Sequence, residues 1–303
     1  MTIAFVLAGG GNMGAVQVGM LAALQERRVV PDLLVGVSVG ALNAAYLGGR
    51  GLTTDALDGL AELWRRVRRK DVFPVSPLRQ MLALTGRRPS LCSSDPLRHL
   101  IAENLGYRQL QAATVPLHII TANLLTGEQV CLSSGDAVSA VLASTAIPGV
   151  FPAVELDGVV LSDGGMAASG GISQAVTLGA DKVYLLPAGH ACALEQVPPG
   201  ALSAAVHALS LLIQRQLLLE VTHLADRADL HVLPPLCPVS VSPLDFTHAE
   251  ELIGRAYQAA NTWLAHGGHR LPHPERFLSL HDHRLDHHVA NHDCPPSIIV
   301  PID

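Results

Sequence analysis

The chain has 303 residues, 49% of them hydrophobic and 15% charged, a balance that provides a large buried core and excludes disorder over most of the length. Its formal net charge of -6 argues against a nucleic-acid binder. Five cysteines, Cys92, Cys131, Cys192, Cys237 and Cys294, are odd in number and have no C-x-x-C spacing, so neither a zinc site nor a disulfide framework is supported and free thiols in a reducing compartment are expected.

The apolar run Ile3 to Ala8 reads as a buried strand. It ends at Gly9-Gly10-Gly11, followed by Asn12-Met13-Gly14 and a helical pattern. Leu33 to Val37 is apolar throughout, as a central parallel strand should be, and runs through Gly36-Val37-Ser38-Val39-Gly40 into an Ala-rich helix from Ala41 to Leu47. This β-α-β-α start predicts an α/β fold with a parallel sheet covered on both faces. From Gly51 the character changes. Arg65, Arg66, Arg68, Arg69, Lys70, Arg79, Arg87 and Arg88 accumulate, and prolines divide the stretch into short helices. Residues 51–110 are expected to form a helical cap. The basic 65–88 region reads either as a solvated helical face or as a positive surface for anionic headgroups or substrate phosphate.

Strand character returns from Pro116 to Asn123, with Glu128 to Leu132 pairing back through Thr126-Gly127. A helix from Ala137 to Ala146 stops at Pro148, and Val154 to Leu161 carries the hairpin signal Asp157-Gly158. Asp163-Gly164-Gly165 follows. The remaining expected elements are a helix at Ile172 to Leu178, a strand at Lys182 to Pro187, a long amphipathic helix at Leu202 to Leu224, a strand at Leu230 to Leu233 and a helix at Glu250 to His266. This gives a main domain over 1–265 and a His- and Pro-rich tail over 266–303. His281, His283, His287 and His288 lack an orienting scaffold, so no metal site is expected there. The apolar stretch nearest to spanning length, Leu202 to Ile213, is short and meets Gln214-Arg215. The first strand begins without a basic leader. A cytoplasmic protein is expected, with peripheral membrane contact through residues 65–88.

Chemistry concentrates in the glycine turns. In G-x-S-x-G the nucleophile stands at a tight strand-to-helix turn where flanking side chains would clash, which makes Ser38 the candidate, with Gly36 and Gly40 shaping the elbow. Backbone N–H groups of the Gly9–Gly11 loop are candidates for an oxyanion hole. Gly9-x-Gly11-x-x-Gly14 also fits a dinucleotide fingerprint. That fingerprint needs an acid at the end of the second strand, and Asp32 precedes the strand. His207 and His223 fall inside helical patterns. Asp163, trailed by Gly164 and Gly165, is the better base for Ser38.

Four segments, G-G-G-N-M-G at Gly9 to Gly14, G-V-S-V-G at Gly36 to Gly40, A-S-T-A-I-P-G-V-F-P at Ala143 to Pro152 and D-G-G at Asp163 to Gly165, resemble those of a patatin-like phospholipase of bacterial type, over roughly residues 3 to 190. The resemblance implies a three-layer α/β/α fold with a mostly parallel central sheet and a Ser-Asp dyad without His. Ser38 would attack an ester carbonyl, and Asp163 would take or orient its proton. The oxyanion loop would comprise Gly9, Gly10, Gly11, Asn12 and Gly14. It implies a lipid or ester substrate and no cofactor or metal. Met13 departs from the pattern, which usually has Arg or Lys there, and Ser169 stands where many relatives have Asn. A nucleotide-binding protein or a non-catalytic lipid-binding module reusing the glycine loop are the alternatives. Oligomeric state is not legible.

Overall fold

The computed structural model describes residues 1–279 except 168, 169, 195, 243, 271 and 272. One mixed sheet of eight strands organises them. Its parallel centre consists of β1 (Ile3–Leu7), β2 (Leu33–Val37), β3 (Leu117–Asn123), β7 (Lys182–Leu186) and β8 (Asp229–Val232), with β2 and β7 flanking β1. On the far side β4 (Gln129–Leu132) and β6 (Val159–Asp163) run antiparallel to β3, and β5 (Val154–Leu156) closes the edge as a hairpin with β6. Asp157 and Gly158 both take positive φ, 50° and 77°, as a two-residue hairpin turn requires.

The alternation within β1 builds the three layers. Phe5 and Leu7 face one core and Ala4, Val6 and Ala8 face the other. The first core is covered by α1 (Gly14–Glu26), α2 (Val39–Gly48), α10 (Ala249–Ala265) and the cap. The second lies beneath α8 (Ile172–Thr177) and α9 (Ala201–Leu224). The cap is helical as expected and comprises α3 (Thr54–Arg66), α4 (Arg69–Val72), α5 (Pro77–Leu84) and α6 (Asp95–Asn104); α7 (Ala137–Ser144) follows β4. Thr53 caps α3 through its hydroxyl, and Arg65 and Arg66 occupy the last turn, where cations suit the helix dipole.

The long helix expected at Leu202 to Leu224 is α9, which runs unbroken for 24 residues through Gln214-Arg215, both good helix formers. It is long and apolar enough to cross a membrane by length and composition, yet Val206, Ile213, Leu217 and Val221 form a buried stripe. Gln214 is buried too, its amide donating to the Leu278 carbonyl at 2.9 Å. Packing also continues beyond residue 265. Short helical turns at Gly268–Arg270 and Pro274–Leu278 follow α10, and Leu278 is fully buried in the second core. The ring of His231 meets the His269 carbonyl at 2.8 Å. The histidines His281, His283, His287 and His288, Cys294 and Ser169 lie outside the described residues.

Candidate active site

The site forms at the C-terminal ends of β1 and β2. Val37 closes β2, and the next residue turns sharply into α2. Ser38 holds φ 53°, ψ -123°, a conformation that costs an L-residue about 1–3 kcal/mol and projects its side chain out of the turn. A glycine at position 40 is required by close approach. A Cβ there would lie 2.0 Å from the Leu7 carbonyl oxygen, so α2 could not seat against β1. At Gly36 a Cβ would lie 2.5 Å from the Ala41 Cα, which makes the elbow equally intolerant.

Ser38 Oγ donates to Asp163 Oδ2 at 2.7 Å, and both residues are buried, at 8% and 1% exposed. Asp163 ends β6, paired opposite Thr121 of β3, and its Oδ1 accepts from the Gly165 amide at 2.9 Å. Gly164 permits this turn, because a Cβ there would come within 2.3 Å of the Ile120 carbonyl oxygen. Burial pushes the Asp163 carboxyl up to about 6, while its bonds from Ser38 and the Gly165 amide pull it down. At neutral pH it is therefore mostly ionised, with a basicity suited to taking a hydroxyl proton.

The glycine loop lies beside this pair. Gly9 is adjacent, a Cβ on it falling 3.2 Å from the Ser38 Cβ. Gly10 packs on Ala188, and Gly11 takes φ 61° to start a short helical turn. The Gly10 carbonyl accepts from the Met13 amide, while the Gly11 and Asn12 N–H groups belong to the first turn of that short helix, where no intrahelical acceptor exists. Gly14 opens α1 and admits Val39 and Trp64, whose side chains a Cβ would hit at 2.4 and 2.6 Å. Met13, where the resemblance leads one to expect a cation, is 1% exposed inside the first core. A charged group there would have no solvent, so an apolar residue fits this packing.

Four buried polar residues hold the loop and the elbow together; the sequence singled out Asn12 only as part of the oxyanion loop, and Ser144, Asn43 and Gln17 not at all. Ser144 Oγ accepts the Ser38 amide at 2.8 Å and donates to the Ile120 carbonyl at 2.6 Å. It fixes the elbow's backbone from α7, and its only signal was membership of the A-S-T-A segment. Asn43 donates to the Gly14 carbonyl and to Gln17 Oε1, and accepts from the Trp64 indole at 2.9 Å. Gln17 in turn donates to the Ala8 and Leu186 carbonyls. Asn12 extends its amide to the carbonyls of Ser242 and Asp245, tying the loop to the segment that carries Phe246. Ser144→Ala strands the Ser38 amide, and a loss of about 1–3 kcal/mol is expected in denaturant melts, together with slower acylation of Ser38 by a fluorophosphonate. Unchanged labelling would remove Ser144 from the positioning role.

Above Ser38 lies a pocket lined by Leu63, Trp64, Val67, Phe73, Phe151 and Phe246, with Leu97 and Leu100 of α6 further along. Trp64 and Phe246 stack with ring centroids 6.4 Å apart, and Phe73 and Phe151 at 5.3 Å. Among the described residues that line it, the polar side-chain groups are the hydroxyls of Ser38 and Thr145 and the indole N–H of Trp64, which is spent on Asn43, and none is a histidine. Asp32, which a nucleotide reading would place on a ribose, instead accepts the Ile3 amide at 2.7 Å at the opposite end of the sheet.

The patatin-like phospholipase profile matches residues 5–176. The neuropathy target esterase sws of Drosophila melanogaster is 28% identical over 197 residues, 64% of this chain and 13% of that protein. The protein of the same name from Drosophila persimilis is 30% identical over 167 residues, 54% of this chain and 11% of that one. The chain thus spans a small part of the length of these curated relatives. Among solved structures, VipD from Legionella pneumophila aligns at 15% identity and a TM-score of 0.42, covering 86% of this chain and 67% of that one. The type III effector ExoU aligns at 18% and 0.42, covering 88% and 53%. With insect proteins among the relatives, the comparison reaches the family and not a bacterial subtype. The profile match covers more than half of the chain and spans the serine elbow, the glycine loop and Asp163: the chain belongs to the patatin-like phospholipase family.

Proposed function

We propose that the chain is a serine lipid acyl hydrolase that works through an acyl-enzyme. The observation that carries this reading is the 2.7 Å bond from Ser38 Oγ to the buried Asp163 carboxylate at the floor of an apolar pocket. Ser38 Oγ attacks the ester carbonyl carbon as its proton passes to Asp163. The carbonyl oxygen becomes an oxyanion facing the backbone N–H groups of Gly10, Gly11 and Asn12. Collapse breaks the bond to the leaving alcohol, which takes the proton back from Asp163. Water then attacks the acyl-Ser38 ester, with Asp163 again the base, and releases the acid and free Ser38. Each oxyanion donor is worth about 100–1000-fold in rate.

The pocket's aromatic and aliphatic lining supports an aliphatic acyl chain rather than a sugar or nucleotide. The Asp32 contact with the Ile3 amide favours the hydrolase over a nucleotide-binding reading. The name of the Drosophila relatives, an esterase, agrees. The test is labelling of Ser38 by a fluorophosphonate, followed by turnover of chromogenic esters and of phospholipids and lysophospholipids of varied chain length. Labelling at Ser38 with release of fatty acid is expected. Absence of both would leave a lipid-binding module as the better reading.

A further inference from the structure

The cap carries a surface that neither the dyad nor the pocket uses. α5 begins at Ser76, whose hydroxyl accepts the Arg79 amide, and turns large apolar side chains into solvent. Leu78 is 64% exposed and Met81 57%, and Val75, just before the helix, is 55% exposed. A helix on a globular protein ordinarily faces such residues inward. Three within seven residues make a patch rather than scattered single exposures.

Within the chain segment that carries the patch the charge is of one sign, although Asp71 precedes it and Asp245 lines the groove behind it. No acidic residue occurs between Asp71 and Asp95, while Arg79, Arg87 and Arg88 fall in that interval and Arg69 and Lys70 precede it. Among the described residues no carboxylate lies within salt-bridge distance of Arg69, Lys70, Arg87 or Arg88, all of them exposed. Behind the patch a groove of about 730 Å³ runs between Val75 and Gln80 on one side and the first turn of α9 on the other. It reaches Phe246, which also lines the pocket above Ser38.

We propose that this face of the cap docks on an anionic lipid bilayer. Val75, Leu78 and Met81 enter the boundary between headgroups and acyl chains, and Arg69, Lys70, Arg87 and Arg88 meet the lipid phosphates. An apolar prow ringed by unpaired cations complements an anionic membrane. A protein partner would have to supply an apolar cleft and several carboxylates in one footprint. The groove then gives an acyl chain a route from the bilayer past Phe246 toward Ser38, and this last step alone rests on the hydrolase reading.

Flotation of the full chain carrying Ser38→Ala separates docking from turnover. The vesicles are phosphatidylcholine alone, or phosphatidylcholine mixed with phosphatidylglycerol. Binding to the mixed vesicles is expected, weakening as salt rises. Arg87→Gln with Arg88→Gln should weaken it by about 30-fold, and Leu78→Asp with Met81→Asp by about 100-fold or more. The same surface substitutions in the Ser38 protein should leave turnover of a water-soluble ester unchanged. Failure of the chain to float with the mixed vesicles, or undiminished flotation of both double variants, overturns the docking surface whatever the soluble-ester activity. Absent soluble-ester turnover with intact flotation would count against the hydrolase reading and for the docking surface.

Discussion

Ser38→Ala is expected to lower kcat/KM for a soluble short-chain ester by about 10⁴- to 10⁶-fold, the range seen when a nucleophile is removed from a serine hydrolase. The substitution deletes the attacking oxygen and little else. Alanine can hold the backbone where serine does, at the same conformational cost, and the Ser144 bond to the residue 38 amide survives because it is made by backbone. The backbone is therefore undisturbed, and the stability cost at neutral pH is confined to the donor that the buried Asp163 carboxylate loses, about 1–3 kcal/mol. The control is as informative as the loss. Because Asp163 loses its 2.7 Å donor, its carboxylate becomes harder to ionise, and the variant should titrate at higher pH than the parent. Activity within about tenfold of wild type would place the chemistry elsewhere in the chain and overturn the dyad.

The parts of this site that were legible in the sequence are those whose cause is local. β1 and β2 stood out because strands buried on both faces must be apolar throughout. Ser38 and Asp163 stood out because close backbone contacts demand glycines beside them: Gly40 against the Leu7 carbonyl, Gly164 against the Ile120 carbonyl. Gln17, Asn43 and Ser144 were not assigned roles, and Asn12 was read only as part of the oxyanion loop, because what each side chain does depends on partners distant in the chain. Asn12 reaches carbonyls at 242 and 245, and Ser144 reaches the amide at 38. Nothing in a polar residue's neighbours announces such a bond, and inside an Ala-rich helix Asn43 reads as an ordinary surface position. The same limit applies to residues 267–279. Their polar content suggested the start of a tail, yet Leu278 is buried and its carbonyl accepts from the buried amide of Gln214 in α9. A side-chain amide donating to a carbonyl in this way lets a polar residue enter the core at little cost.

Asp163 carries the second large effect, in which activity and stability move in opposite directions with pH. As a base it works only when ionised, so with its carboxyl held at about 6 kcat/KM should fall roughly tenfold for each pH unit below that value. Its folded value lies above the ordinary 3.8, so the neutral form is the one folding favours. The stability this contributes is fully present below about pH 4 and is lost as pH rises through about 6. The difference corresponds to about 3 kcal/mol at pH 7, the cost of keeping a buried carboxylate charged where the chemistry needs it. Asp163→Asn removes that charge in nearly the same shape, and the Gly165 amide keeps a carbonyl acceptor. The variant should therefore lose about 10⁴-fold in turnover yet gain up to about 3 kcal/mol at pH 7. The gain should shrink as pH falls through about 6 and vanish by about pH 3, where the parent carboxyl is protonated in both folded and unfolded chains. Denaturant melts of both proteins between those limits measure it. A variant less stable than the parent at pH 7, or a gap that does not narrow with acid, would mean that the protein does not hold Asp163 as a costly buried base, and the proton transfer from Ser38 would need another acceptor.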